Sequence, residues 1–514
     1  MKTPPRVVVI GAGIGGLTTA ALLAEAGCEV TVLEAGVYPG GSAGTFYRNG
    51  YRFDAGATLA GGFQPGGPHA LVAERLGITW PVQAEDHAWT VHLPDRQITL
   101  SRDYADVLNQ FPGTEAFWHE QARIADVGWR MAAQVLPWPP TDLAELAQFA
   151  RIELAHLPDM LPLLPLALST VQGWLRRHDL AQDETFTRFL DALLLISAQT
   201  TSAHANALYS ATALDLPRQG VYHVRGGMGG LAETLVAKLE TLGGRILYKH
   251  RAAAVDVENG RVTAVRVIKN RRVEDRFRCD FAVANLTPGS LDSLLAESSP
   301  ARLRREVQRR APGWGAFVLY LGIQADRLPP NFGDSHQIIT ELHGSLGEGR
   351  SVFLSLSPPW DSTRAPAGYR AATVTTHTAV QPWWDMATND SGAYEAHKQD
   401  YTERMLAALE QILPGLRSGL SVVMPGTPVT YQAWTHRQLG MVGGFPQTSV
   451  FRVRGPRTGL KNLRLVGDSI FPGQSTAGVT AGALRVAADV LRSLPRAAAH
   501  QVYFPSVPKV TESD

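Results

Sequence analysis

Residues 6–34 read RVVVIGAGIGGLTTAALLAEAGCEVTVLE, and this stretch decides the fold. Arg6 to Ile10 is a short β-branched run, Gly15 to Ala26 is rich in Ala and Leu and stops at Gly27, and Glu29 to Leu33 again favours a strand. A strand, a glycine turn, a helix and a second strand in this order form a βαβ unit, because parallel strands need a crossover between them. Gly11, Gly13 and Gly16 stand in GxGxxG spacing at the opening of the helix. Gly11 permits the tight turn, Gly13 lets backbone approach a pyrophosphate, and Gly16 allows close helix packing while the helix amides face the anion. Glu34 ends the second strand, where a carboxylate accepts hydrogen bonds from an adenosine ribose. A glycine turn beside a solvated Glu would spell the same letters, but strand, glycines, helix and acid seldom coincide by chance, and the stretch reads as a dinucleotide cradle.

Working outward, a second glycine device follows the acid at once: PGGSAGTF over residues 39–46, then GYRFDAGAT over residues 50–58. Gly40, Gly41, Ser42 and Gly44 permit backbone approach to a further part of an extended cofactor, although a plain glycine loop is the competing reading. Near the far end, LRLVGDSIFPGQSTAGVTAG over residues 463–482 gives a strand closing on Gly467 and Asp468, a turn, and a helix start of small residues. Asp468 is suited to accept from ribityl hydroxyls, and the amides from Thr476 to Val479 to face the carbonyl end of an isoalloxazine. Nicotinamide enzymes need no second glycine device here, whereas three stations along the whole chain suit a cofactor as long as FAD.

The remaining sequence divides around these stations. Residues 1–99 are expected to form the first part of a Rossmann-type FAD-binding domain and residues 100–219 a helical insertion for substrate and membrane contact. Residues 220–299 resume the nucleotide fold, with Asn259 and Gly260 at a hairpin bend, and 300–455 form a second substrate part. Residues 456–498 close the FAD domain, and 499–514 are a flexible tail. The fold class expected is therefore α/β, with an interleaved α+β substrate domain. At 514 residues the chain has room for two packed domains. Its 48 Lys and Arg against 47 Asp and Glu leave a formal charge of +1, which argues against nucleic acid as a partner. Cys28 and Cys279 stand apart from any ligand-spaced Cys or His, so no metal site and no disulfide framework is expected. The prolines at the start and the lack of a small-residue cleavage site read as a mature, cytoplasmic start rather than a secretory signal.

GAGIGGLTTAALLAEAG, VLEAGVYPGGSAGTF, GVYHVRGGMGGLAETL and LRLVGDSIFPGQSTAGVTAGAL together resemble the phytoene-desaturase and carotenoid-isomerase family of flavoproteins, over essentially the full length. Within it, GYRFDAGATLAGGFQPGGPH and FPGTEAFW are most similar to bacterial carotenoid 3',4'-desaturases. The resemblance implies a glutathione-reductase-like FAD domain, non-covalent FAD, a lipophilic carotenoid substrate, oxygen or quinone as electron acceptor, and peripheral attachment to the cell membrane. It places FAD contacts at Gly11, Gly13, Gly16, Glu34, Gly41, Asp468 and Val479, and an adenine contact near Ala252, where relatives often carry Val. The activity it implies is C-3',4' desaturation by hydride transfer to flavin N5. Phytoene or neurosporene desaturation and cis-trans isomerisation stay open. Flavin amine oxidation and a non-catalytic carotenoid-binding flavoprotein stand further off.

Because the flavin carries the difficult chemistry, no triad or metal cluster is needed, and protein groups position a long apolar chain and exclude water. Candidate acid or base residues are His69, after the GGFQPGGP loop, and His204 and His223, which flank the entry to the second nucleotide half. Asp54 reads as a brace for its loop. Met160 to Leu175, MLPLLPLALSTVQGWL, is uncharged and apolar, with Trp174 at its edge and Arg176 and Arg177 after it. It falls short of the ~20 residues a spanning helix needs and is broken by Pro162 and Pro165, so it is expected to lie in the membrane interface. A buried helix of the substrate domain is the alternative. Arg302, Arg304, Arg305, Arg309 and Arg310 would favour anionic headgroups or form a solvated helix face.

Overall fold

The computed structural model describes residues 3–269 and 272–494. Its first layer is a five-stranded parallel sheet in the order Leu463–Leu465, Phe281–Ala284, Arg6–Ile10, Glu29–Leu33 and Arg245–Leu247. The VVVI and FAVA runs are buried throughout because elements cover both faces of this sheet. On one face lies the helix Ile14–Glu25, packed against the helices Gly229–Thr241 and Ser475–Ser493. On the other lies an antiparallel sheet of Arg251–Glu258, Arg261–Lys269 and Arg272–Arg278, which puts Val255, Val265 and Val267 into the same core. Asn259 at φ 52° and Gly260 at φ 72° make the bend of its first hairpin, since the twist of paired strands favours a two-residue loop with both φ positive.

The second layer is a seven-stranded sheet in the order Leu420–Gly426, Trp314–Gln324, Tyr369–Ala379, Ser351–Leu356, Ser335–Ile339, Trp89–His92 and Gln97–Leu100. All its pairs are antiparallel except Ser335–Ile339 with Trp89–His92. Phe317, Leu319, Leu354 and Val374 on one face pack under Trp383, Tyr401 and Leu409 of the helices Val380–Asn389 and Ser391–Glu410. The opposite face looks into a cavity roofed by helices of residues 105–219. Arg485 in the closing helix reaches Glu145 at 2.9 Å, both side chains buried, and ties the nucleotide layer to that helical region. Removing either partner would strand a buried charge.

Two expectations need correction. Trp89–His92 and Gln97–Leu100 belong to the second sheet, so residues 1–99 are not wholly nucleotide fold; alternation of apolar and polar residues reveals a strand but not its sheet. Met160 to Leu175, expected as a segment lying in the membrane interface with Trp174 at its edge, is a chain of short helical turns in which Trp174 is fully buried with its indole N–H donated to Glu120. Leu163 and Leu166 join the core while Leu161, Leu164 and Leu168 stay exposed, so the run is shared between core and surface. Among the described residues no helix is long and apolar enough to cross a membrane. The closing helix begins at Ser475, and the tail of residues 499–514 lies outside the described residues.

Candidate FAD and substrate cavity

At the first station Gly11 adopts φ +93° and its N–H donates to Leu33 O at 2.8 Å, turning the chain at the end of its strand. A methyl on Gly16 would lie 2.3 Å from the Gly11 carbonyl oxygen, so this glycine lets the helix seat against the turn. A methyl on Gly13 would lie 2.4 Å from Asn285 Nδ2. The Glu34 carboxylate accepts from Ala12 N and Gly36 N, each at 2.7 Å. Burial raises its pKa, partly offset by those amides. The helix it faces has no side-chain cap and no acid in its first turn, which leaves its N-terminal amides free for an anion.

The second station locks onto the first, with Gly40 N donating to Ala12 O at 2.8 Å. Gly40 sits at φ +108°, and a methyl there would strike the backbone of Gly44 at 2.7 Å. At the third station Gly467 adopts φ +115° and Asp468 forms an ion pair with Arg437 at 3.0 Å. The helix Ser475–Ser493 then opens without a side-chain cap from its flanking residue or an acid in its first turn. Gly11, Gly13, Glu34, Gly40, Gly41, Ser42, Asp468, Thr476 and Val479 all line one cavity of about 1450 Å³. Gly16 lies behind it in the packing role expected, and Ala252 lines the end where adenine contact is expected.

These residues fit FAD: two helix N-termini, an acid at the ribose end and glycine cradles that any side chain would fill all open on one space. That space exceeds the ~300–1,000 Å³ of a single ligand site, so a second ligand fits beside the cofactor. The surplus is an apolar arm walled by Trp89, Leu193, Ile196, Leu214, Val318 and Phe353, between the seven-stranded sheet and the helices Glu184–Ala198 and Ala207–Ala213.

The three candidate histidines stand elsewhere. His69 is fully buried behind the cavity wall, stacked on Phe63 with ring centroids 4.7 Å apart, and its Nε2 lies 3.2 Å from Thr476 Oγ1. Burial pushes its pKa down to about 3, which suits a structural, neutral ring. His204 is exposed outside the cavity. His223 lies between Asp334 at 3.0 Å and Glu85 at 3.3 Å, and Arg370 completes the group through Asp334. His223, Glu85 and Asp334 lie close enough together to offer ligand atoms to a metal, and Asp334 of that group is also ion-paired with Arg370. Asp54 is a brace as expected: it accepts from Thr45, Met228 N and Arg364.

Reading the sequence missed Asn285, His377, Gln199 and Arg437. Asn285 follows a buried strand and touches the positions where Gly11, Gly13, Gly15, Gly16 and Gly467 would carry side chains, so it joins the first and third stations. The letters VANLTP show a strand end but not what it meets. His377 lines the cavity, with its Nε2 3.3 Å from Gln199 Nε2, and burial lowers its pKa to about 4. Its face of the strand depends on the sheet register, which the sequence does not display. Arg437 holds the Gly443 carbonyl as well as Asp468, and nothing in its neighbours announces that.

The chain matches the family of flavin-containing amine oxidoreductases over residues 14–491. It is 29% identical to prolycopene isomerase of Daucus carota, covering 94% of this chain and 80% of that protein. It is 26% identical to lycopene-forming phytoene desaturase of a Paracoccus species, covering 95% and 98%, and 26% identical to hydroxyneurosporene desaturase of Rhodobacter capsulatus, covering 92% and 95%. Among solved structures it is similar to an oxidoreductase of Methanosarcina mazei, at 18% identity and TM-score 0.62 over 94% of this chain and 99% of that one. Cyclohexylamine oxidase of Brevibacterium oxydans shares the fold at 16% identity and TM-score 0.59, covering 95% and 99%.

Proposed function

The chain belongs to the family of flavin-containing amine oxidoreductases, and from that premise we propose that it is a carotenoid desaturase introducing a C–C double bond into a polyene, at C-3',4' of a substrate whose end group is already modified. The enzyme is an FAD-dependent oxidoreductase related over nearly its whole length to carotenoid isomerases and desaturases. The observation that carries the reading is the single cavity that runs from three glycine stations into an apolar arm too large for the cofactor alone. When bound, FAD supplies the two-electron acceptor for a C–C bond beside a conjugated chain.

The residues of the chain do the rest. Gly11 and Gly13 would hold the pyrophosphate and Gly40, Gly41 and Ser42 a further stretch of the cofactor by backbone approach, Glu34 the adenosine ribose, Asp468 the ribityl hydroxyls, and the amides from Thr476 to Val479 the isoalloxazine end. Phe353, Trp89 and Leu193 would align the polyene and keep water from a developing cation. Electrons would leave to oxygen or a quinone.

A membrane surface is the source of such a substrate, and Leu143, Leu146, Leu154, Leu157, Leu161, Leu164 and Leu168, all exposed within residues 143–168, are the apolar side chains that would meet it. These leucines would take the anchoring role in place of the buried Trp174. The basic cluster supports this less: Arg310 pairs with Glu306 at 3.1 Å and lies over the Phe445 ring. The enzyme would work on the cytoplasmic side, peripherally attached.

Supplying the FAD-loaded protein in liposomes with lycopene-like and 1-hydroxylated carotenoids tests the reading. A product two mass units lighter with a longer-wavelength spectrum supports desaturation. Unchanged mass with a shifted spectrum would favour cis-trans isomerisation, the second reading, which the prolycopene isomerase relatives support.

A further inference from the structure

His223 stands in a group of its own, away from the cavity: neither it nor Glu85 nor Asp334 lines that space. Three distant parts of the chain meet there. His223 lies in the strand Tyr222–Val224, which pairs antiparallel with Val82–Ala84 and sets His223 opposite Gln83. Glu85 N extends this ladder by donating to Val221 O at 2.9 Å, so Glu85, two residues past Gln83, shares the face of His223. Asp334 immediately precedes the strand Ser335–Ile339 of the seven-stranded sheet, and its carbonyl accepts from Leu356 N at 2.7 Å. Two sheets therefore fix the three side chains before any ligand arrives. No local spacing in the sequence could have shown this.

The Nε2 of His223 lies 3.0 Å from Asp334 Oδ2 and 3.3 Å from Glu85 Oε1, and the three ligand atoms all fall within 4.8 Å of one another. Bonds of about 2.1 Å hold ligand atoms about 3.4 Å apart on a tetrahedral ion and about 3.0 Å apart on an octahedral one. Arg370 takes Asp334 Oδ1 and donates its Nε to Ser357 O at 2.6 Å, which leaves Oδ2 turned to the ring. An outer partner that fixes one carboxylate oxygen and frees the other is the support a metal ligand needs. The charges present do not balance beside a neutral imidazole. Two carboxylates share one guanidinium, and Asp86 adds to the negative field at Glu85. The Nε2 makes its hydrogen bond with Asp334, and among the described residues no donor bonds the Glu85 carboxylate, whose pKa burial raises. Side-chain exposure of 8% for His223, 13% for Asp334 and 24% for Glu85 leaves the group open on the Glu85 side, where an ion can enter.

We propose that Glu85, His223 and Asp334 bind a divalent transition-metal ion, zinc foremost, and that the ion pins the strand Tyr222–Val224 to the seven-stranded sheet. One imidazole with two carboxylates suits a borderline ion; the imidazole disfavours magnesium and calcium, and the absence of sulfur from the set disfavours copper(I). The pin holds a junction. Past Val224 the chain enters the helix Gly229–Thr241 of the nucleotide layer, with Gly226 N donated to Asp361 at 2.5 Å and Met228 N to Asp54 at 2.8 Å. The ion thus joins the two layers of the molecule outside the cavity, and no step of the flavin chemistry passes through it.

The test uses the FAD-loaded full chain without an affinity tag, stripped of metal by a chelator, freed of the chelator and titrated with zinc chloride near neutral pH. Bound zinc is read by atomic emission after gel filtration. The wild type is expected to take up one equivalent with a Kd of about 1 μM or tighter. At about a hundredfold excess over Kd its thermal midpoint should rise by about 2–3 °C. Glu85→Gln removes a carboxylate that makes no hydrogen bond among the described residues, so FAD content should hold. Its zinc affinity should fall at least about 100-fold, beyond the loss typical of an outer partner. His223→Gln should bind no equivalent and show no rise. A wild type that takes up no zinc at about 10 μM free ion leaves a proton on His223 as the balancing charge and overturns the site. Zinc bound as tightly by FAD-loaded Glu85→Gln as by the wild type also overturns it.

Discussion

Replacing Gly16 by alanine puts a methyl carbon 2.3 Å from the Gly11 carbonyl oxygen, where ordinary C···O contact is about 3.3 Å. About 1 Å must be found between two backbone segments, and neither has slack. The turn is held by Gly11 N to Leu33 O at 2.8 Å and the helix start by Leu17 N to Gly13 O at 3.0 Å, while the helix is buried from Ile14 to Ala24. Overpacking of this kind costs about 1–3 kcal/mol, and because the displaced elements are the proposed pyrophosphate cradle, the cost is expected to fall on cofactor affinity. At ~1.4 kcal/mol per tenfold, FAD should bind about 5- to 150-fold more weakly. Titration of the flavin-stripped protein with FAD, followed by quenching of flavin fluorescence, measures this directly. Gly243→Ala is the control: φ there is +82° but no atom lies within 4 Å, so stability should fall while FAD affinity does not. Wild-type FAD affinity in Gly16→Ala would refute the reasoning.

Arg437→Met should leave the Asp468 carboxylate half-buried without its 3.0 Å partner and weaken FAD binding, by about 1–3 kcal/mol, in the same titration. Acid should destabilise the fold through His69 and His377, whose pKa values burial pushes down to about 3 and about 4. Both stay neutral in the native chain while the unfolded chain protonates, so stability is whole above pH ~6.5 and is lost as pH falls toward 4, at about 3 kcal/mol per pH unit for the pair. Thermal midpoints at pH 7 and pH 5 should converge in the double variant His69→Gln, His377→Gln, and an undiminished acid drop there would count against it. Exchanging the exposed Leu161, Leu164 and Leu168 for serine should cut liposome binding about 100-fold with FAD content intact, read by vesicle flotation; unchanged flotation would exclude this surface.

The nucleotide layer was legible because local signals there coincide with global ones. Arg6–Ile10 and Glu29–Leu33 fall where β-branched runs place them, and Asn259 with Gly260 makes the expected bend. Glycines with positive φ, such as Gly11, Gly40 and Gly467, announce themselves because only they sit easily there. What escaped is set by long-range pairing. Asn285 and Arg437 bridge stations far apart in the chain, and His377 faces the cavity only because the register puts alternate residues of its strand on that side. Trp174 illustrates the opposite error: an aromatic beside arginines reads as an interface anchor, yet it packs against Phe117 and donates to Glu120 inside the helical region. Composition cannot separate a half-buried apolar run from one that lies on a membrane; the alternation of Leu163 and Leu166 with Leu161, Leu164 and Leu168 does, once the turns are known.

In the function proposed, an FAD held by the three glycine stations oxidises a polyene in the adjoining apolar arm. A single anaerobic turnover tests it most directly: protein carrying oxidised FAD is mixed with liposomal polyene in the absence of any electron acceptor, quenched, and the extracted carotenoid weighed by mass spectrometry. The product expected is two mass units lighter, in an amount that stops at the amount of bound FAD. Polyene recovered at its original mass, with the flavin still oxidised, would contradict it.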